Sequence, residues 1–319
     1  MKILITGATG LIGQAIVKEL VKRKAVVHYL TTDSNKIQKT DYYKGFLWNP
    51  EKEEIDIKAF DGVTSVINLA GASISKRWTT DYKKKVLDSR LQSLRLLNKA
   101  IVQKGHHDIK SFVSASAIGV YPHSLTSLYT ENERQVDDSF LGSVVSAWEN
   151  EIATFNNFEF NVATIRVGLV LSLEGGALPQ MAKPIQNYVG AAFGSGEQWQ
   201  SWIHIHDLAR MFVFVLDNGL KGTFNGVAPN PVTNLKFTKA LAKVLQKPLL
   251  LPNVPASLMR VVLGEMAYLL FSSQRVSSKR IEKKGFLFQY QNISGALQDL
   301  LGKDKTLQTE KTSLTKEFI

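Results

Sequence analysis

The sequence predicts an α/β protein with a doubly wound parallel sheet, helices on both of its faces and a smaller C-terminal lobe. Three observations predict this architecture. Short apolar runs rich in β-branched residues alternate with segments of helical periodicity through the first half of the chain. A glycine-rich turn joins the first run to the first helical segment. After residue 171 the alternation gives way to glycine turns and scattered aromatic residues.

The strands and helices of the first half follow from these patterns in order. Residues 2–6 form an apolar run that ends at a glycine, and apolar residues then recur at helical spacing over 11–21. Alternating strands and helices form βαβ units, whose right-handed crossovers set a parallel sheet covered on both faces. Further strands are predicted at 25–32, 45–49, 65–71, 111–116 and 161–171, and further helices at 81–104 and 140–155.

The second half of the sequence predicts the smaller lobe. Residues 233–247 have the pattern of a capped amphipathic helix. The apolar stretch 256–271 is too short to cross a bilayer and contains Glu265, so we predict a core or lid helix. We assign residues 1–170 and 200–228 to a first domain, residues 171–199 and 229–302 to the smaller lobe, and residues 303–319 to a flexible polar tail.

The composition excludes several classes of protein. No apolar run is long enough to span a membrane, the N-terminus lacks a signal-peptide pattern, and the absence of cysteine excludes disulfides and thiolate metal sites. A cytoplasmic location is the simplest interpretation. The net charge of +11 comes from scattered lysines without interleaved aromatic residues. We interpret it as a solvated surface, or as a site for a phosphorylated ligand, and expect no nucleic-acid partner.

The turn TGATGLIG predicts a dinucleotide site, with a purely structural glycine turn as the competing interpretation. It follows a strand and opens a helix, the context that the phosphate-binding turn of a Rossmann fold requires. The first glycine permits a tight turn, the second lets the backbone approach a pyrophosphate, and the third allows close packing of the helix. Free amides at the start of the helix would bind the phosphates. The residues predicted to contact the cofactor here are Gly7, Thr9, Gly10, Leu11, Ile12 and Gly13.

The end of the second strand bears on which dinucleotide is bound. Sites that prefer NAD carry Asp or Glu there for the ribose hydroxyls, whereas this chain has Thr31 and Thr32. Small hydroxyl groups and the nearby Lys36 suit the 2′-phosphate of NADP. Asp33 keeps NAD open as the alternative, since it would become the ribose partner if the strand ran two residues further.

Several motifs extend the pattern beyond the first turn. They are TGATGLIG, VINLAGASI, SRLQSLRLL, SASAIGVY, EFNVATIRVG, GSGEQWQSWIHIHDLAR and QRVSSKRIEKKGFLFQY. Together they resemble the extended and atypical short-chain dehydrogenase/reductases, and among these the group described as epimerase family proteins, over residues 1–302. The resemblance implies a Rossmann fold and a nicotinamide cofactor. Because such proteins often dimerise through a four-helix interface, a homodimer is an expectation for this chain.

The resemblance also implies which further positions touch the cofactor. Three residues at the end of the fourth strand would lie against the adenosine and its ribose. An arginine of the following helix would point towards the phosphates or the 2′-phosphate, unless it is an ordinary solvated arginine. Two residues after a later strand would line the nicotinamide end. These positions are Leu69, Ala70, Gly71, Arg90, Val167 and Gly168.

The catalytic pattern of these enzymes is incomplete in this chain. They use a Ser or Thr together with a Tyr and a Lys four residues later, where the lysine charge lowers the pKa of the phenol so that it can transfer a proton. Aligned on Glu149, the corresponding helix carries Leu141 and Val145 at the Tyr and Lys positions. Neither side chain transfers protons. The serine position is kept as Ser116, whose competing interpretation is a structural serine at a strand end.

Other side chains are candidates to replace the missing pair. Tyr121 follows the strand of Ser116 closely and is a candidate to reach the cleft. His204 with Asp207 is a candidate acid–base pair, because an unperturbed histidine titrates near neutral pH. If that segment is a strand, His204 and His206 share a face, but no third ligand is evident and we expect no metal site. A substrate-side wall, or part of the core, is predicted from Trp78, Trp199 and Trp202.

These observations predict an NADP-binding, epimerase-like oxidoreductase or isomerase that acts on an unknown small carbonyl or sugar-nucleotide substrate. It would use a proton donor other than the usual tyrosine, with Ser116, Tyr121 and His204 as candidate catalytic residues. The alternative is a regulatory protein that binds or senses NADP(H) without turnover. The absent Tyr and Lys favour the alternative, whereas Ser116 and the aromatic residues favour an enzyme.

Overall fold

The computed structural model describes residues 1–105 and 108–302. The strands within these ranges are β1 (Lys2–Thr6), β2 (Val26–Thr31), β3 (Tyr43–Asn49), β4 (Glu54–Ile55), β5 (Ser65–Asn68), β6 (Ser111–Ala117), β7 (Leu128–Tyr129), β8 (Asn161–Val167), β9 (Leu169–Leu171), β10 (Trp199–Gln200), β11 (Trp202–His204), β12 (Gly222–Gly226), β13 (Val232–Thr233) and β14 (Arg275–Val276). The α-helices are α1 (Leu11–Lys22), α2 (Thr80–Lys104), α3 (Phe140–Ala153), α4 (Ala177–Gln186), α5 (Ile205–Asp217), α6 (Asn234–Leu245), α7 (Ala256–Leu263), α8 (Tyr268–Phe271), α9 (Lys279–Glu282) and α10 (Ile293–Leu301).

An eight-stranded sheet with the order β12-β8-β6-β5-β1-β2-β3-β4 forms the centre of the protein. Neighbouring strands are parallel except at one edge, where β4 pairs antiparallel with β3. The order runs outwards in both directions from β1, because α1 carries the chain to β2 on one side and α2 carries it from β5 to β6 on the other. This topology confirms the predicted doubly wound sheet.

Apolar residues of the strands and of the facing helices form the main core. Every residue of β5 and all but the first residue of β1 are buried, so these strands are covered on both faces of the sheet. α1 packs against α5 on one face of the sheet, and α2 packs against α3 on the other. The helices begin at capping residues: the hydroxyls of Thr79 and Ser139 accept hydrogen bonds from the amides of Tyr82 and Gly142.

A second apolar cluster lies beyond the sheet and is built from α4, α6, α10 and the short strands β9 and β11. Its members include the fully buried Leu171, Trp202 and Phe237. The amphipathic helix predicted for this lobe is confirmed as α6, with Thr233 as an N-cap that accepts from the Lys236 amide. The domain boundaries themselves stay a prediction.

Two predicted elements differ from the structure. The strand predicted at 161–171 is divided at Gly168, because β8 belongs to the central sheet whereas β9 leaves it and pairs with β11. A Cβ at Gly168 would overlap the carbonyl oxygen of Ser201, so the division requires glycine. The stretch 256–271 is not a single core helix. Gly264, with φ of +59°, separates α7 from α8, and every residue of α7 is at least partly exposed.

No helix in the described part of the chain is both long enough and apolar enough to cross a bilayer. The flexible tail predicted for residues 303–319 lies outside the described residues.

Candidate functional site

The carboxyl ends of β1 and β5 meet where the strand order reverses, which is the position at which open α/β sheets bind ligands. A buried hydrogen-bond network fixes this edge. The Thr6 hydroxyl donates to Oδ1 of Asn68 (2.7 Å) and accepts from the amides of Leu69 (3.0 Å) and Ala70 (3.1 Å). Asn68 donates in turn to Oγ of Ser114 on β6 (2.9 Å). A hydrogen-bond network that joins β1, β5 and β6 therefore fixes the backbone of Leu69 and Ala70, two of the predicted cofactor residues.

The glycines after β1 let the turn, α1 and the end of β5 approach one another closely. Gly7 has φ of +70°, and a Cβ there would lie 2.9 Å from the carbonyl oxygen of Leu69. A Cβ on Gly13 would overlap the Gly7 carbonyl oxygen. Gly10 differs, since its φ of −82° is ordinary and a Cβ would lie 3.3 Å from its nearest neighbour. The fold thus requires glycine at two positions, and Gly10 leaves open space above the turn.

The start of α1 offers unpaired donors. The first amide to bond into the helix is that of Gln14, which donates to the Gly10 carbonyl oxygen (2.9 Å), so the amides of Leu11, Ile12 and Gly13 have no acceptor among the described residues. Within this part of the chain no side chain caps α1, and its first turn carries no acid. Three free amides at the positive end of a helix dipole form a site that fits a phosphate or pyrophosphate group.

The end of β2 bears on the choice between NADP and NAD. The Thr31 hydroxyl accepts from the Asp33 amide (3.2 Å), and the Asp33 carboxylate caps the following turn by accepting from the Asn35 amide (3.0 Å). Nζ of Lys36 lies 4.0 Å from the same carboxylate. Asp33 is therefore engaged locally, on the side of the turn that follows the strand.

A cavity of about 330 Å³ adjoins the end of β2. Thr32 lines it together with Trp48 of β3 and the carboxylates of Glu54 and Asp56. Two carboxylates favour hydroxyl or amino groups in this cavity and oppose a phosphate within it.

Arg90 lies beside the end of β5. Its guanidinium donates to the carbonyl oxygens of Val86 (2.7 Å) and Ala72 (3.2 Å) and lies 4.9 Å from the centre of the Trp148 ring. A Cβ on Gly71 would come within 3.1 Å of the guanidinium carbon, so the glycine gives the arginine its room. Burial lowers the pKa of Arg90 to about 10. Because no carboxylate of the described residues pairs with it, this cation is available to an anionic ligand.

A buried polar network occupies the carboxyl end of β6, where two candidate catalytic residues lie. Ser116 donates to Oε1 of Glu149 on α3 (2.6 Å), and Arg166 on β8 makes a two-pronged ion pair with the same carboxylate (2.8 and 2.6 Å). Nη1 of Arg166 donates to the Tyr121 hydroxyl (2.9 Å), which donates to Oδ1 of Asn225 on β12 (2.7 Å). The structure thus brings Ser116 and Tyr121 together through a shared ion pair.

Sequence reasoning missed three members of this network, namely Glu149, Arg166 and Asn225. A signal was present, because Arg166 stands inside an apolar strand, and a buried charge needs a partner. Burial by itself lowers the pKa of Arg166, but the hydrogen bonds and charge of Glu149 outweigh it and raise that pKa above its ordinary value. The arginine is therefore permanently charged.

Tyr121 does not reach the cleft, which corrects the expectation from sequence. Its side chain is fully buried, and its hydroxyl is already bonded to Arg166 and Asn225. Burial raises the pKa of the phenol despite the neighbouring guanidinium. Ser116 is also buried, and its proton is directed to Glu149, so its oxygen can accept a further hydrogen bond but has no second proton to donate.

The residues at the Tyr and Lys positions face the end of β6. Leu141, Val145 and Glu149 lie four residues apart on one face of α3. A Cβ on Gly119, just after β6, would lie 3.6 Å from Cβ of Leu141 and 3.9 Å from a methyl carbon of Val145. Apolar side chains therefore stand where the related enzymes have the Tyr and Lys that transfer a proton. Glu149, one helical turn further along, accepts a hydrogen bond from Ser116.

His204 lies in a different environment from the other two candidates. It ends β11 and caps α5, where its Nδ1 accepts from the His206 amide (3.1 Å). The Tyr290 ring stacks on it at 3.9 Å, and the Asp299 carboxylate lies 3.2 Å from Nε2. Burial lowers the pKa of His204 to about 4, against the opposing charges of Asp299 and Asp207. Because β11 ends at His204 and His206 belongs to α5, the condition under which the two histidines would share a strand face is not met.

Asp207 holds the chain that follows α9. Its buried carboxylate accepts from the amides of Gln289 (3.0 Å) and Tyr290 (2.8 Å) and from Arg210 (2.9 Å). Over the described ranges, no three His, Cys, Asp or Glu side chains are placed to share a metal ion.

The two residues expected at the nicotinamide end lie at the end of β8. Val167 pairs with Ala117 of β6, directly after Ser116. The Gly168 amide donates to the Gly226 carbonyl oxygen (3.1 Å) where β9 leaves the sheet. Both residues therefore lie at the same edge of the sheet as the glycine turn.

The three candidate tryptophans do not form one wall. Trp202 is fully buried in the second apolar cluster, so the expectation of a substrate-side role is wrong for it. Trp199 is partly exposed and lies under the Arg275 guanidinium, 4.6 Å from its carbon. Trp78 borders a cavity of about 460 Å³ between the start of α3 and the segment of α7 and α8.

Comparison with known proteins covers most of the chain. Residues 3–226 match the model of the NAD dependent epimerase/dehydratase family, and residues 254–300 match a domain of unknown function, DUF1731. An epimerase family protein of Staphylococcus haemolyticus is 38% identical over 304 residues, which cover 93% of this chain and 98% of that protein.

Solved structures are similar over the same length. The human epimerase family protein SDR39U1, crystallised with NADPH, has a TM-score of 0.82 at 29% identity, over 94% of this chain and 99% of its own. A nucleoside-diphosphate sugar epimerase of Corynebacterium glutamicum has a TM-score of 0.75 at 28% identity, over 98% of this chain and 61% of its own.

Removing one partner of the buried ion pair should destabilise the protein strongly. We expect Arg166→Met to lower the free energy of unfolding by about 3–5 kcal/mol, because it leaves the Glu149 carboxylate buried without its cation. Glu149→Leu combined with Arg166→Met should recover most of this loss. The control is Arg95→Met on α2, which breaks a partly exposed ion pair with Glu151 on α3 and should cost less than about 1 kcal/mol. Urea unfolding measures wild type and the three variants, and a double variant no more stable than Arg166→Met would contradict the coupling.

The buried imidazole of His204 should make stability depend on pH. Its pKa is lower in the folded protein (about 4) than in the unfolded chain (about 6.5), so the unfolded chain binds more protons between these values and stability falls as pH is lowered through this range. We expect a loss on the order of 2 kcal/mol between pH 7 and pH 4.5 that is reduced in His204→Asn. Asparagine keeps the helix cap. Equal pH profiles of the two proteins in urea unfolding would exclude His204 as the source.

Proposed function

Since the chain belongs to the NAD-dependent epimerase/dehydratase family, we propose that it binds NADP(H) along the carboxyl edge of its central sheet. The observation that carries the proposal is the start of α1, where the amides of Leu11, Ile12 and Gly13 are free and the glycine turn leaves open space above Gly10. Free amides at the positive end of a helix are suited to a pyrophosphate. The NADPH bound to the similar human protein supports NADP(H) as the dinucleotide.

The other cofactor contacts follow from the order of the strands. We assign Leu69–Gly71, at the end of β5, to the adenosine and its ribose, and Arg90 to the phosphates, because it is a cation without a described carboxylate partner. Val167 and Gly168, at the far side of β6, are assigned to the nicotinamide end.

The chain's own support for NADP over NAD is divided. Thr31 and Lys36 suit a 2′-phosphate, and Asp33 is engaged in its own turn. Glu54 and Asp56, in the cavity beside Thr32, oppose such a phosphate. We propose NADP(H) rather than NAD because the similar human protein was crystallised with NADPH.

The reaction we propose is oxidation or reduction at a secondary alcohol or carbonyl carbon of a small substrate, which includes the sugar of a sugar nucleotide. Bound nicotinamide supplies a hydride acceptor or donor for this chemistry. Ser116 is our proton-transfer residue, because it directly precedes Ala117, the β6 residue that pairs with Val167, and its oxygen is free to accept. The substrate hydroxyl would give its proton to Ser116 while Ser116 gives its own to Glu149. The buried hydrogen bonds of Tyr121 and His204 favour structural roles for those two residues.

A second candidate function is NADP(H) binding without turnover. The observation that favours it is the apolar packing of Leu141 and Val145 at the positions where the related enzymes have their Tyr and Lys. The Arg166 charge also stabilises the ionised form of Glu149 and so resists its protonation.

A methyl group at Gly10 should block the cofactor without disturbing the fold. Gly10→Ala suits the φ of −82°, and its Cβ would lie 3.3 Å from the Gly7 carbonyl oxygen, a contact that a small local shift relieves, and would enter the space above the turn. We expect the affinity for NADPH, measured by its fluorescence, to fall at least tenfold with an unchanged melting temperature, and wild-type protein to bind NADPH more tightly than NADH. Gly295→Ala is the matched control, since a Cβ there meets open space on α10. Equal NADPH affinity of Gly10→Ala and wild type would refute the assigned site.

Replacing Ser116 should separate turnover from binding. In an assay of NADPH consumption with ketones, aldehydes and sugar nucleotides, we expect Ser116→Ala to lower kcat about 100-fold or more while NADPH affinity stays unchanged. Ser143→Ala is the control, since it removes an exposed hydroxyl from α3, the helix that carries Glu149. Protein that binds NADPH tightly but consumes it with none of these compounds would favour the second candidate function.

A further inference from the structure

The cavity bordered by Trp78 has walls that suit a flat ligand. Its volume of about 460 Å³ lies within the range of pockets that hold small molecules. Four aromatic side chains line it: Trp78, Phe140, Tyr268 and Phe271. The rings of Trp78 and Phe140 meet edge to face, with centroids 5.2 Å apart. Aromatic side chains present large, rigid apolar surfaces, which favours an unsaturated ring over a flexible polar chain.

The cavity is held open by hydrogen bonds that need no ligand. The indole N–H of Trp78 donates to the Ile74 carbonyl oxygen (2.9 Å). The Tyr268 hydroxyl lies within hydrogen-bond distance of both carboxylate oxygens of Asp137 (2.7 and 2.9 Å), and Asp137 also accepts from the Ser139 amide (3.0 Å) at the start of α3. Burial and the contact with Asp137 raise the pKa of Tyr268 to about 12, so its proton stays in this bond. Tyr268 thereby ties α8 to the start of α3.

The cavity is lined by one acidic residue whose charge is paired and one arginine whose charge is not paired within the described part of the chain. Glu265 is neutralised by an ion pair with Lys83, whose ammonium lies 5.3 Å from the centre of the Phe140 ring. Arg260 on α7 also lines the cavity, and it makes no ion pair with any described residue. A guanidinium beside aromatic walls is suited to a carboxylate, sulfonate or phosphate, which it binds with two parallel hydrogen bonds.

We propose that this cavity binds a small molecule that combines one aromatic ring system with one anionic group. The ring lies among the four aromatic side chains, and the anion lies against Arg260. Because Ser139 and Phe140 directly precede Leu141, the bound molecule stands at the start of α3, next to the edge assigned to the cofactor. The role of this molecule as the substrate rests on the proposed function, whereas its binding in the cavity is independent of that function.

Two fluorescent dyes test the proposal. Anilinonaphthalene sulfonate combines aromatic rings with one anion, and phenyl-naphthylamine has the same rings without the charge. Both are titrated with saturating NADPH present, so that neither dye can occupy the cofactor edge. We expect Arg260→Gln to weaken binding of the sulfonate about tenfold and to leave binding of the uncharged dye unchanged. Trp78→Leu should weaken the binding of both dyes. If Trp78→Leu does not fold, Phe140→Leu is used in its place.

Two variants serve as controls. Arg134→Gln removes an exposed arginine that does not line the cavity, and Val261→Ser alters the exposed apolar surface of α7, where Val261 is 80% exposed. Neither should change the affinity for either dye. Equal sulfonate affinity of wild type and Arg260→Gln would overturn the proposal. So would a loss in Val261→Ser as large as in Trp78→Leu, which would put the dye on the outer surface. If the protein binds no NADPH, the proposed function fails, and the same dye titrations without NADPH still test the cavity.

Discussion

The buried ion pair between Glu149 and Arg166 is the interaction on which the candidate site depends. It connects α3 to β8, and through Ser116 and Tyr121 it extends to β6 and β12. A carboxylate and a guanidinium can leave water only when each is paired and hydrogen-bonded, and here Arg166 uses two donor groups on Glu149 and a third on Tyr121. The positions of Ser116 and Tyr121 are therefore set by the need to satisfy a buried charge pair.

The two halves of the site obey different physical constraints. At the start of α1 the constraint is space, because neighbouring backbone atoms lie so close to Gly7 and Gly13 that no other residue fits. The free amides of the helix are the groups available to bind a ligand there. At the end of β6 the constraint is charge balance, which commits the Ser116 proton to Glu149. A dinucleotide can be held by the first half without any side chain from the second, so binding and chemistry can be lost or altered independently.

The cavity beside Trp78 adds a third environment to this edge of the protein. Its walls are aromatic, its acidic residue Glu265 is already paired, and its arginine is not. The contact between Tyr268 and Asp137 anchors α8 to the start of α3, whose residues Ser139 and Phe140 line this cavity and directly precede Leu141. An apolar face in place of a Tyr–Lys pair is compatible with an aromatic ligand, because neither requires water or a mobile proton there.

The sequence by itself determined the doubly wound sheet, the position of the glycine turn and the absence of a Tyr–Lys pair on α3, because strand and helix periodicity, glycine spacing and residue identity are local properties. Tertiary structure decided what the candidate residues do. The buried phenol of Tyr121, the buried imidazole of His204 and the buried indole of Trp202 contact partners 104, 95 and 28 residues away along the chain, which are Asn225, Asp299 and Asn230. Such contacts between distant segments leave no periodic signal. The same reason applies at Gly168, where β9 leaves the sheet: the Ser201 carbonyl oxygen that leaves no room for a Cβ comes from outside the strand.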